Sequence, residues 1–140
     1  MSSMWPDDIL LNKASIIERC IKRIKQEYAA CPALDNYTHI DAVTLNIERA
    51  CQAAIDMAMH IVSENRYGAP QSSAHAFVLL AENNVISDEL SLNLQNMAGF
   101  RNLVVHNYLE IDQAILSFVV ENGYMDFIDF CSAAGIEIKP

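Results

Sequence analysis

Apolar residues recur at steps of three and four along almost the whole chain, and this regularity restricts the fold to packed helices. Leu10, Ala14, Ile17, Ile21, Ile24 and Tyr28 form one stripe; Ile40, Val43, Ile47, Ala50, Ala54, Met57 and Ile61 form a second. No segment alternates convincingly with the period of two that a half-buried strand needs. Four glycines and four prolines leave few places to turn. Pro6, Asp7 and Asp8 suit a helix start, and the spacing predicts a helix over 8–28. A second helix is expected over 37–65, stopped by Gly68 and Pro70, and a short third over 73–82 with Ser72 as N-cap. A fourth begins near Ser87, with Asp88 and Glu89 in its first turn, and a fifth runs over 112–134, bent or divided at Gly123. Gly135 to Pro140 reads as a frayed tail. The expectation is an all-α, up-down bundle of about five helices, one domain over 1–140 with its core at 8–134.

Composition narrows the class. At 140 residues and 52% hydrophobic, the chain is too apolar for disorder and large enough for a real core. It lacks an apolar run long enough to span a bilayer, and its first residues lack the regions of a signal peptide. These features point to the cytoplasm. Cys20, Cys31, Cys51 and Cys131 are far apart and form no C-x-x-C pair, which fits reduced, mostly buried thiols and no metal centre. A net charge of −9 opposes nonspecific binding to nucleic acid, so any contact with phosphate must be local.

One segment breaks the pattern. The fourth stripe, Leu90, Leu94, Met97, Arg101 and Val104, carries an arginine where an apolar side chain is expected. His106 follows after four intervening residues and Tyr108 after one more. A guanidinium that binds phosphate beside an imidazole that moves a proton is the minimum needed to cut RNA without a metal. The helix wheel complicates this. Tyr108 shares the face of Arg101, but His106 lies about 140° away. Either the helix distorts near Val105 to Asn107, or a second copy of the chain completes the site in a symmetric dimer. A structural reading also stands: Arg101 pairs with Asp56 or Glu48, His106 sits satisfied at a helix end, and Tyr108 is a core aromatic.

The stretch from Met97 to Asn102, followed by Val105-His106-Asn107-Tyr108, resembles the Arg–His motif of the HEPN superfamily. More narrowly, it resembles the HepT toxins of HepT–MntA toxin–antitoxin pairs. Leu45-Asn46-Ile47-Glu48-Arg49-Ala50 and Ala54-Ile55-Asp56-Met57-Ala58 match the same family, so the likeness covers about 8–134. The resemblance implies a helical bundle, a homodimer and a metal-independent endoribonuclease without cofactor. Its partners would be RNA and a minimal nucleotidyltransferase antitoxin of the MNT type. It assigns Arg101 and His106 as catalytic, with Asn102 and Tyr108 positioning the substrate or the catalytic groups. Tyr108 is also the site at which such an antitoxin would attach AMP. The competing class is a noncatalytic nucleotide- or substrate-binding subunit of a nucleotidyltransferase complex.

Other candidates carry less. Asp56 and His60 sit four apart, a spacing that metals sometimes use, but without further ligands they read as a solvated or dimer-facing patch. His39 and His75 read as surface residues at helix starts, and Glu48 and Arg49 as structural.

Overall fold

The computed structural model describes residues 6–32, 35–106 and 113–140; within helices, the side chains of 103–106 and 113–115 lie outside that description. Six α-helical segments are ordered α1 (Asp8–Ala30), α2 (Tyr37–Asn65), α3 (Ser73–Glu82), α4 (Asp88–His106), α5 (Gln113–Phe118) and α6 (Tyr124–Ala133). A single π-helical turn, Val119–Gly123, joins α5 to α6, so the last three pieces form one continuous helix. The expected all-α bundle of about five helices is therefore what the chain forms, and no strand occurs among the described residues.

The starts follow the cap chemistry. Asp7, Asn36, Ser72 and Ser87 each accept a bond from a backbone N–H of the first turn, at 2.8–3.0 Å. The ends differ in one respect from expectation. Arg66, not Gly68, takes the left-handed conformation that closes α2 (φ 56°), and Tyr67 N–H reaches back to Val62. Asn84 does the same after α3 (φ 60°), as asparagine tolerates. At the end of α6 Gly135 takes it (φ 84°), and Ile136 N–H donates to the Cys131 carbonyl.

That last turn corrects the expectation of a frayed tail. Gly135 folds the chain back, so Ile136 packs on the core and Ile138 is buried. Lys139 N–H donates to Glu18 Oε2 at 2.6 Å, fastening the C-terminus to α1. The apolar character of Ile136 and Ile138 outweighs their terminal position.

Contacts across α1 and α2 fix their direction. Asp7 meets His60, Lys13 meets Asp56, and Glu27 meets His39, so one number rises as the other falls and the pair is antiparallel. Glu18 meets Lys139, Lys25 covers the Tyr124 ring and Tyr28 bonds Glu121, so α6 also runs antiparallel to α1. The predicted stripes are the core. Leu10, Ala14, Ile17, Ile21 and Ile24 of α1 are buried, as are Val43, Ile47, Ala50, Ala54, Met57 and Ile61 of α2. Phe77 of α3 meets Phe130 of α6 edge-on, with ring centroids 5.5 Å apart. Ser91, a buried hydroxyl on α4, is satisfied by the Phe77 carbonyl at 2.9 Å.

Gly123 ends the π turn against α4: a Cβ there would come within 2.5 Å of the Met97 Cε, the mobile tip of a side chain that would have to move aside. The extra residue of the π turn moves the helix sideways against α4 without ending it.

Asp7 has two tasks, capping α1 and accepting from His60, whose Nε2 lies 2.6 Å from its Oδ2. The His60 bond, with the Leu10 N–H, holds its carboxyl below the usual value. A depressed carboxylate contributes stability above its unfolded pKa, near 4, and loses it as pH falls through the lower folded value. Asp7→Asn should therefore lower the melting temperature between pH 5 and 6 and converge on the wild type in acid. Melting curves from about pH 2 to 6 test this; a difference independent of pH would contradict it.

Candidate functional site

Arg101 stands in the last two turns of α4, on a stripe whose earlier members Leu94 and Met97 are buried. The side chain reaches α2. Its Nε lies 3.4 Å from Glu48 Oε1, with the two side chains 27% and 21% exposed. This is close enough for an ion pair, but the alignment is not that of a hydrogen bond, and the buried Nε–H has no hydrogen-bond partner among the described residues. Nη1 lies 3.5 Å from Asn102 Oδ1, a weak contact. Glu48 thus faces the Nε edge of the guanidinium, and Nη1 makes only that weak contact. Of the two pairings considered from sequence, Glu48 is the partner and Asp56 is not.

Asp56 belongs to another network. It accepts from Lys13 Nζ at 3.0 Å and from Gln52 Nε2 at 2.9 Å. With His60 on Asp7, the polar face of α2 is matched to α1, which corrects its reading as a solvated or dimer-facing patch. No group of three His, Cys, Asp or Glu side chains suited to a metal occurs among the described residues. His39 is also not a plain surface residue: it is partly buried and pairs with Glu27.

The Arg–His motif is placed only in part. Arg101 and Asn102 are described, Asn102 exposed. Position 106 ends α4, so the backbone stays α-helical from Arg101 to His106 and does not distort before it. The His106 side chain and the whole of Tyr108 lie outside the described residues. Over an unbroken helix the angle between positions 101 and 106 is about 140°. Gly99, exposed one turn before Asn102, has nothing within 4 Å of where a Cβ would stand.

Behind the arginine, Cys51 is buried, and its thiol is pushed far up by burial and next by Glu48. Burial also holds Cys131 up, to about 12. All four cysteines are free thiols, three of them buried and inert as nucleophiles. Glu48 is thus structural, as its position in sequence suggests, and it opens a polar series, 48, 52, 56, 60, spaced one turn apart on α2.

Removing Glu48 should release Arg101. Glu48→Ala leaves the half-buried Nε–H without its facing charge, and we expect a loss of about 1 kcal/mol in urea denaturation. Hydrogen exchange at Arg101 Nε should quicken in both Glu48→Ala and Glu48→Gln, read by NMR. Unchanged exchange in both would mean that Glu48 does not hold the arginine.

Comparison with known proteins fits this geometry. Residues 15–134 match the model of the family described as "Ribonuclease HepT-like". An mRNA nuclease HepT from Shewanella oneidensis is 45% identical over 125 residues, 89% of this chain and 94% of that protein. A tRNA nuclease HepT from Aphanizomenon flos-aquae is 33% identical over 84 residues, 57% of each chain. A solved structure of a tri-AMPylated Shewanella oneidensis HEPN toxin in complex with an MNT antitoxin superposes with a TM-score of 0.86 at 44% identity, over 91% of this chain and 96% of that one. A toxin–antitoxin crystal structure with AMP-PNP gives the same TM-score at 43% identity, covering 91% and 97%. In sequence and in fold alike, this chain belongs to the HepT-like ribonuclease family.

Proposed function

We propose that this chain is the toxin of a HEPN/MNT toxin–antitoxin pair, a metal-independent endoribonuclease that acts in the cytoplasm and is silenced by a nucleotidyltransferase antitoxin. The observation that carries the reading is Arg101, tethered at Nε by Glu48, in a chain 45% identical to an mRNA nuclease. That both named relatives are nucleases favours cutting over the noncatalytic binding role.

The chemistry follows from the groups. Arg101 presents its Nη atoms to the nonbridging oxygens of a phosphodiester and stabilises their charge as it grows. A base takes the proton of the 2′-hydroxyl, the 2′-oxygen bonds to phosphorus, and the 5′-oxygen leaves with a proton from an acid. The products are a 2′,3′-cyclic phosphate and a 5′-hydroxyl. His106 supplies the base or the acid, since an imidazole can both take and give a proton. Asn102 orients the phosphate, and Tyr108 positions the substrate.

The straight helix is why the site belongs to a homodimer. With Arg101 and His106 about 140° apart on one helix, convergence on a single phosphate is achieved by pairing one protomer's arginine with the partner's histidine across a two-fold axis. Gly99 and Asn102 leave that face of α4 low and polar, suited to close approach.

Arg101→Ala and His106→Ala should each abolish toxicity and RNA cleavage while leaving the fold intact, and the double variant should be no worse than either. Cleavage by the wild type should survive excess chelator and leave cyclic phosphate ends. Gel assays with end-group analysis, beside melting curves, read all of this; undiminished cleavage by His106→Ala would refute the acid–base role.

Control should act through Tyr108. Its hydroxyl attacks the α-phosphorus of ATP in the antitoxin's site, pyrophosphate leaves, and the attached AMP sets bulk and negative charge where substrate phosphate would bind. Peptide mass spectrometry after co-expression with the cognate antitoxin should find AMP on Tyr108, with cleavage falling as occupancy rises. Adenylylation at Tyr67 or Tyr124 instead would refute the placement.

A further inference from the structure

Beside the arginine, α4 forms one wall of a cleft of about 350 Å³ whose other wall is the π turn and the helices it joins. Its lower surface is apolar, made by buried Met97, Phe100, Val119 and Gly123. Its rim is polar and amide-rich: Asn93, Asn96, Asn122 and Asp126, with Phe118 62% exposed beside them. Phe100 and Asn96 precede Arg101 by one and five residues, so along the unbroken α4 they stand about 100° and 140° round the helix from it, Asn96 also about 7.5 Å along the axis.

The polar groups are available. Asn96 and Asn122 make no side-chain hydrogen bond among the described residues, and Asn93 donates only a long bond, 3.3 Å, to Asp126 Oδ1. The second oxygen of Asp126 has no hydrogen-bond partner among the described residues. Burial pushes its carboxyl upward, and the charges of Asp129 and Glu89 push the same way, so a donor approaching it would relieve a real cost. A free aromatic face, three amides that both donate and accept, and a carboxylate that accepts are the equipment with which proteins hold an unstacked base of single-stranded RNA. The size is at the lower end of the ~300–1,000 Å³ typical of small-ligand sites. The wall itself is unusual: π turns are rare and recur at functional sites.

We infer that this cleft is a base-reading subsite, in which Phe118 stacks a nucleobase of the bound RNA while Asp126, Asn93, Asn96 and Asn122 select one that carries an exocyclic amine. Asp126 accepts from the amine of cytosine, adenine or guanine, and the amides complete the edge. Uracil has no amine and turns carbonyl oxygens towards the carboxylate. The inference rests on the RNA-cleaving reading for its purpose, but not for its test.

Two measurements separate the two claims. In the first, cytidine, guanosine, adenosine and uridine 5′-monophosphates are titrated into the wild-type protein, and the side-chain amide signals of Asn93, Asn96 and Asn122 are followed by NMR. The amine-bearing nucleotides should shift them at lower concentration than uridine monophosphate does. In the second, single-stranded oligonucleotides randomised around one cleavage position are cut and sequenced. The wild type should prefer an amine-bearing base over uracil at one fixed neighbouring position. Asp126→Asn should reduce that ratio by about tenfold, the order of loss expected when one hydrogen bond between a charged acceptor and a base amine is removed. Asn96→Ala, at an exposed position that does not threaten the fold, should reduce it in the same direction. Amide shifts without any RNA cleavage would sustain the subsite and sink the nuclease reading. Cleavage without amide shifts, or variants that slow all sequences equally, would overturn the subsite.

Discussion

The structure depends on α2, the helix against which the others are packed. Twelve of its residues are buried, on faces that α1, α3, α4 and α6 cover between them. Along a partly buried face runs a polar line, Glu48, Gln52, Asp56 and His60, one residue per turn. A line of polar groups so close to the core has to be matched, since a half-buried charge without a partner is costly. Each match falls to a different neighbour: His60 to Asp7, Asp56 to Lys13, Glu48 to Arg101. These pairs set the register of α1 along α2 and draw the end of α4 against its N-terminal half. The arginine of the Arg–His motif is therefore held by the same rule that aligns the first hairpin.

This arrangement explains how an arginine comes to occupy an apolar stripe. One edge of its guanidinium replaces the missing hydrophobic contact with an ion pair, and among the described residues Nη1 makes only a weak contact to Asn102. In the proposed role, holding Arg101 beforehand reduces the side-chain entropy lost when phosphate arrives, and Glu48 offsets part of its charge. The motif's spacing does not disclose this compromise; the polar series on α2 does.

Much of the fold was legible because its signals are local. The Asp7, Ser72 and Ser87 caps, the apolar stripes of α1 and α2, and the break at Gly123 depend on residues near one another in sequence. The misses arise where distant residues decide. The tail reads as loose until Gly135 turns Ile138 into the core and Glu18 meets Lys139. His39 reads as exposed until Glu27 of the other helix pairs with it. A π turn has no sequence signature of its own, and Gly123, where the tip of Met97 of α4 packs close, only marks its end. In the site, Arg101 is legible because it breaks an apolar stripe, whereas which of the two candidate acids faces it is decided by how α4 packs on α2.

The acidity of the chain bears on how such a site can select RNA. With a net charge of −9, little of the binding free energy can come from displacing counterions along a phosphate backbone. The one arginine placed for phosphate already faces a glutamate. Affinity must then come from contacts that do not depend on net charge: stacking on an aromatic, hydrogen bonds to base edges, and shape. Such contacts discriminate between sequences, whereas phosphate contacts mainly fix register. An acidic nuclease of this build is thereby biased towards few, chosen sites. The amide-rich cleft between α4 and the π turn is where the surface offers contacts of that kind, and it shares with the arginine the one helix, α4, that carries both.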